Sequence, residues 1–287
     1  MLTIDRRLRR LAAASVLFVG THVVAAPVAA AEDVSRWDGD TRSAARLIAG
    51  TQHRPASAVR AGIEIRLRPG WHTYWRYPGD AGVPPQFDFK ASHNVRQVEV
   101  LWPAPERLPE VGGLTVIGYG HDVIVPLRIV PQDSTKPVTL RLKLSYAVCE
   151  KLCIPAEAKA ELVLRGGPAA TDSALVAAEA RVPVKRKLGE GGDLSIISIK
   201  REDGPDRGRV WVDVAAPMGA PLDLFAEGPA PDWSLPLPVP VDGAPDGVQR
   251  FVFELDGLPT GAKGKGSLIT LTAVTADGAI EVTTRLD

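Results

Sequence analysis

Apolar and polar residues alternate with a period of two through much of the chain beyond residue 40, the spacing at which successive side chains of an extended strand fall on opposite faces of a sheet. The pattern is cleanest at Val59, Ala61, Ile63, Ile65 and Leu67. It recurs at Val98, Val100 and Trp102, at Val123, Val125, Leu127 and Ile129, and at Val138, Leu140, Leu142, Leu144, Tyr146 and Val148. Turn signals part these runs: Arg68-Pro69-Gly70, Pro78-Gly79-Asp80, Val111-Gly112-Gly113 and Pro131-Gln132-Asp133. Short strands so spaced, with no helices between them, predict an antiparallel β-sandwich.

The pattern breaks after Leu164. Gly166-Gly167-Pro168 leads into an Ala-rich stretch that Thr171 or Asp172 can cap and Pro183 stops, so a short helix is expected as the connector. Alternation resumes at Val210, Val212 and Val214, at Phe251, Phe253 and Leu255, and at Ile280, Val282, Thr284 and Leu286. The Pro-rich stretch 229–245 reads as loop or edge strand. The expected organisation is all-β: a sandwich over residues 32–165, a helical linker over 166–189, and a second, smaller β-sandwich over 190–287. The second sandwich has no Cys or His, and its Trp211, Trp233 and Met218 are expected to pack in a core or interface.

The first 31 residues interrupt this picture. Arg6 to Arg10 form a basic stretch, Leu11 to Gly20 an apolar one, and Ala29-Ala30-Ala31 a small-residue end, the three parts of a cleaved secretory signal. His22 and Pro27 interrupt the apolar run and argue against a retained membrane anchor. The expected location is therefore the bacterial periplasm or an equivalent oxidising space, with no membrane span after signal cleavage. Lys and Arg equal Asp and Glu at 34 each. Removing the leader's four Arg and one Asp leaves 30 basic against 33 acidic residues, a balance that disfavours nucleic acid as a partner. With 45% hydrophobic and 24% charged residues the composition is that of an ordinary globular protein.

The chemistry rests on two cysteines, Cys149 and Cys153, at the end of a strand. Two Cys of an exported protein, three residues apart, are expected to form one disulfide. A loop this short stabilises by only about 2 kcal/mol in the chain-entropy model, so a purely structural purpose is weakly motivated, and spacing alone leaves structural and exchangeable readings both open. The C-x-x-x-C spacing is not that of thioredoxins. With Pro155 close behind, no helix dipole is expected to depress a thiol pKa.

The run Gly70-Trp71-His72-Thr73-Tyr74-Trp75-Arg76-Tyr77-Pro78-Gly79-Asp80-Ala81-Gly82, followed by Trp102-Pro103-Ala104-Pro105-Glu106, Ile117-Gly118-Tyr119 and Tyr146-Ala147-Val148-Cys149 to Cys153-Ile154-Pro155-Ala156, resembles the amino-terminal periplasmic domain of the DsbD and ScsB thiol:disulfide interchange proteins. The resemblance spans about residues 40–165, and the linker helix with the second β domain looks like the longer ScsB-type region. It implies an immunoglobulin-like fold that receives reducing equivalents from a separate membrane-embedded donor and passes them to thioredoxin-like periplasmic proteins. It further implies that Cys153 forms the mixed disulfide with the partner and that Cys149 resolves it. Trp71, Tyr74 and Trp75 fall at positions lining the family's site, as does Tyr119 of the matching motif. Ala104 to Gly113 falls in the loop that caps the family's disulfide, with Leu108 in place of a capping aromatic and Glu106 beside it. The family's membrane domain and thioredoxin-like domain are not found in the sequence up to Asp287. The chain is expected to act as a reductase-type carrier for cytochrome c maturation, copper tolerance or disulfide repair.

Other chemistries find less support. His53, His72, His93 and His121 lack metal-ligand spacing, although His72 and His121 could approach the Cys pair, and no cofactor is called for. There is no G-x-S-x-G elbow, P-loop or dinucleotide fingerprint. Glu106 and Glu110 are most simply solvated. The competing reading is a non-catalytic secreted binding module whose disulfide only ties a loop and whose Trp-rich surface meets protein partners.

Overall fold

The structure, a computed structural model, describes residues 32–52, 57–79, 82–111, 114–204, 208–262 and 264–287. The leader, His53, Asp80-Ala81 and Gly112-Gly113 lie outside the described residues, as does the side chain of Glu110.

The first part of the chain runs β1 (Asp38–Gly39), β2 (Ser43–Ala49), β3 (Val59–Leu67), β4 (His72–Gly79), β5 (Gln86–Asp88), β6 (Val95–Val100), β7 (Glu106–Val111), β8 (Leu114–Tyr119), β9 (Val123–Pro131), β10 (Val138–Cys149) and β11 (Cys153–Leu164). Then come α1 (Asp172–Ala180), β12 (Val184–Arg186), β13 (Ser195–Glu202), β14 (Arg209–Ala215), β15 (Asp223–Glu227), β16 (Val239–Val241), β17 (Val248–Glu254), β18 (Leu268–Thr275) and β19 (Gly278–Arg285).

Two sheets build an immunoglobulin-like β-sandwich. One has the order β1-β2-β3-β9-β6, the other β11-β10-β4-β8-β7 with β5 on β10. Their inward faces enclose a core that includes Leu47, Ile63, Ile65, Trp75, Ile117, Val125, Leu140, Tyr146 and Val148. Of the strands interior to the first sheet, β9 is apolar except for Arg128, while β3 keeps Arg60, Glu64 and Arg66 between its buried positions. Along β10 the residues alternate buried and less buried up to Ser145, after which Tyr146 to Cys149 are buried one after another. Tyr146 and Val148 face the main core, while Ala147 and Cys149 belong to a separate small cluster on the opposite face. The sheet is covered on both sides at this one end, where the disulfide sits.

The helix α1 is seated on the sandwich rather than hung between domains. Leu175 is fully buried and packs where a Cβ on Gly50 would stand 2.6 Å from its methyl carbon. Thr171 occupies the N-cap position but makes no side-chain cap; its hydroxyl donates to the Ala49 carbonyl at 2.6 Å. Asp172 instead accepts from the Thr51 N–H and from Arg60, which also holds Glu179. The expected capping residue is thus spent on docking the helix.

The remaining strands form two four-stranded sheets, β12-β19-β18-β15 and β13-β14-β17-β16, around a second core that includes Val212, Leu224, Phe251, Leu271 and Val282. Of the aromatic and Met residues expected to pack here, Trp233 is buried, whereas Met218 is 88% exposed and Trp211 is half-buried with its Nε1 donating to Glu202. Strand β12, in the stretch read as linker, adds in parallel to β19. The Pro-rich stretch contributes only β16, an edge strand, as the lack of proline N–H groups requires.

Candidate functional site

Strands β10 and β11 form a twelve-pair antiparallel ladder that ends with Cys149 opposite Cys153, joined as a disulfide with their Cα atoms 4.2 Å apart. The two sulfurs stand in different surroundings. Cys149 is 2% exposed, while Cys153 and the intervening turn Glu150-Lys151-Leu152 are exposed, Leu152 by 73%. A partner can reach Cys153, and Cys149 lies behind it.

Strand β4 supplies the aromatic wall. It pairs with β10 so that Thr73 faces Val148 and His72 faces Cys149. Side chains two apart share a face, so His72 and Tyr74 lie on the disulfide's side. The Tyr74 hydroxyl is 2.7 Å from Cys149 Sγ and 3.0 Å from Cys153 Sγ. A disulfide sulfur carries no hydrogen, so the phenol donates, to one sulfur at a time. Burial raises the Tyr74 pKa, which keeps the proton on the phenol. The ring is held from behind by Gly82: with φ +146°, a Cβ there would stand 2.4 Å from Tyr74 Cε1. That close approach accounts for the glycine at the end of the Pro78 to Gly82 motif.

The same period-two rule separates the other aromatics from the sulfurs. Trp75 is fully buried in the main core, on the opposite face from Tyr74, and packs against Phe225 at 6.0 Å between ring centroids. Trp71 and Tyr119 also belong to that core. Tyr119 donates to the Pro103 carbonyl at 2.9 Å, just ahead of the stretch expected to cap the site. Of the aromatics expected to line the disulfide, Tyr74 alone has a polar atom on it among the described residues.

That stretch is the hairpin β7–β8 rather than a loop. Glu106 pairs with Gly118, which pairs with Tyr74, and Leu108 pairs with Val116. Leu108 is 8% exposed and shares the small apolar cluster with Tyr74, Val116, Ala147 and Cys149. Glu106 is half-buried on the strand and lies 3.7 Å from Arg181 at the end of α1, whose carbonyl accepts from the Ala104 N–H. Ala147 follows from its place two residues before Cys149 on β10, whereas Val116 carries no signal in the sequence and is placed here by the register of β8 against β4 and β7. His121 is exposed. Among the described residues no group of three or more His, Cys, Asp or Glu is placed to hold a metal ion.

A buried sulfur behind an exposed one, with a protonated phenol in reach of either, can undergo thiol:disulfide exchange. Comparison with known proteins points the same way. Residues 44–165 match the family model described as thiol:disulfide interchange protein DsbD, N-terminal. No curated protein sequence matches the chain. Among solved structures, the crystal structure of the N-terminal periplasmic domain of ScsB from Proteus mirabilis matches with a TM-score of 0.70 and 20% identity, over 88% of this chain and 98% of that one. At that identity the likeness is one of fold, and it extends through both sandwiches. Residues 44–165 belong to the DsbD N-terminal family of thiol:disulfide interchange domains.

Proposed function

We propose that the chain is a periplasmic carrier of reducing equivalents, exchanging electrons between a separate membrane-embedded donor and thioredoxin-like partners through Cys149 and Cys153. Residues 1–31 serve as its cleaved leader, 32–165 as the redox domain, 166–189 as the linker and 190–287 as a second sandwich. The observation that carries this reading is the asymmetry of the pair: Cys153 is exposed and Cys149 is buried. In the reducing direction the Cys153 thiolate attacks a sulfur of the client disulfide, whose other sulfur leaves as a thiolate. Cys149 then attacks Cys153 Sγ, the bond to the client breaks, and the client departs as a dithiol while the pair is oxidised. No helix among the described residues is long and apolar enough to cross a membrane.

The test is the reduction potential of the pair, titrated against defined thiol buffers with thiol trapping. A carrier is expected above about −300 mV, in the range of exchange-active pairs, and structural disulfides of secreted proteins lie below it. In a Cys149→Ser variant a client should remain covalently held at Cys153. A potential well below −300 mV together with no trapped client would leave a non-catalytic binding module as the better account.

A further inference from the structure

One ionisable side chain on the disulfide's face takes no part in those exchange steps. His72 opens β4 and stands in register with Cys149. Opposed residues of an antiparallel ladder hold their Cβ atoms about 4.5–5.5 Å apart on the same face, which sets the imidazole beside the Cys149 side chain. Its ring packs edge-on against Tyr74, 5.7 Å between centroids at 85°. Its Nε2 is buried and has no hydrogen-bond partner among the described residues. Buried side-chain nitrogens are nearly always partnered, so an orphan beside a redox sulfur asks for a role.

The groups around it are few. Tyr74 shares its strand, and Cys149, Glu150 and Cys153 come from the β10–β11 turn. From β7, the Glu106 Oε2 lies 3.7 Å from where a Cβ on Gly120 would stand, one step past the Thr73–Tyr119 pair. Burial is the cause that lowers the His72 pKa, and no neighbouring charge offsets it. The imidazole is therefore neutral near pH 7, a proton acceptor with a free site.

We propose that His72 is the base that takes the Cys149 proton when the mixed disulfide is resolved, an inference that rests on the exchange reading above. The Cys149 S–H proton moves to Nε2. The electron pair left on Cys149 Sγ forms the bond to Cys153 Sγ, and the bond between Cys153 and the client breaks. The client sulfur leaves with that electron pair and takes up a proton from the imidazolium. Burial would otherwise hold the Cys149 thiol in its protonated, unreactive form, which is the barrier a neutral base removes.

The experiment uses the reduced chain and glutathione disulfide, with the mixed disulfide at Cys153 followed by mass spectrometry as it forms and is resolved. In the wild type the resolution rate rises with pH through an inflection below 6.5. In His72→Gln, formation is unchanged, resolution at pH 7 slows about a hundredfold, the glutathionylated species accumulates, and only the rise with ionisation of the buried thiol, above the ordinary value of about 8.5, remains. His72→Ala should lose the same phase and regain it in added imidazole, a rescue that a packing role would not produce. If the wild-type pair exchanges but His72→Gln resolves at the wild-type rate, this inference falls and the exchange reading stands. If the wild-type pair does not exchange at all, the exchange reading falls first. Should neither variant fold, a wild-type profile without the inflection overturns the inference.

Discussion

Tyr74 shows how one side chain can set the chemistry of both sulfurs. Its hydroxyl lies within 3.0 Å of each, and burial keeps it protonated, so on reduction it remains a donor to whichever sulfur carries charge. A hydrogen bond to a charged group contributes about 1.5–3 kcal/mol. Tyr74→Phe should therefore raise the Cys153 thiol pKa by about 1–2 units, read from the pH dependence of iodoacetamide alkylation of the reduced chain. An unchanged alkylation profile would reduce Tyr74 to packing. The cysteine pair and Tyr74 were legible in the sequence because the motif run names them. The family resemblance groups Trp71 and Trp75 with Tyr74, yet the alternation that marks β4 as a strand turns Trp75 into the main core. In the sequence His72 is only a residue that could approach the Cys pair. Its pairing with Cys149 depends on the register between strands 77 positions apart, which no local pattern encodes.

At the scale of elements the disulfide is covered by a hairpin whose edge strand tolerates an awkward sequence. Strand β7 ends its sheet, and its register against β8 shifts between Leu108 and Val111. Pro109 falls in that irregularity, where a missing N–H removes no ladder bond. This is why Ala104 to Gly113 is expected as a loop from the sequence while residues 106–111 pair as a strand in the fold. Leu108 is the hairpin's apolar contact with the site, in one cluster with Tyr74 and Cys149. Leu108→Ala is expected to lower stability by about 2 kcal/mol or more and to speed reduction of the disulfide by dithiothreitol. The volume-conserving Leu108→Met should leave both nearly as they are. If the alanine variant is destabilised while dithiothreitol reduces it at the wild-type rate, the hairpin is structural and does not shield the sulfurs.

At the scale of the whole molecule, the strand that carries Tyr74 is also where the second sandwich docks. Strand β15 is buried on both faces. Leu224 and Ala226 point into the second core, while Asp223, Phe225 and Glu227 meet Arg107, Trp75 and Arg76 of the first sandwich. The alternation within each sandwich made both visible in the sequence. Their junction was not, because Arg76 joins residues 151 and 205 positions away. Arg76 stacks over the Trp75 ring at 4.4 Å and holds both Glu227 and Glu281, whose side chains are only 14% and 13% exposed. Burial pulls its pKa down, but the hydrogen bonds and charges of Glu227 and Glu281 outweigh that and hold the guanidinium above its ordinary value. Replacing it by an apolar chain, Arg76→Met, leaves two close carboxylates buried without their cation, a defect of about 3 kcal/mol. Two like charges held together without a cation oppose folding only while both are ionised, so the variant's deficit is expected to grow as pH rises. Urea unfolding should show the largest gap between variant and wild type at pH 7 and a narrower one at pH 4.5, with Glu281→Gln in the Arg76→Met background restoring part of the loss. A gap independent of pH would place the effect in the lost stacking on Trp75 instead. The thiol chemistry then supplies the functional readout: because Arg76 lies two residues from Tyr74, a loosened junction should also change the rate at which glutathione disulfide reacts with the reduced pair.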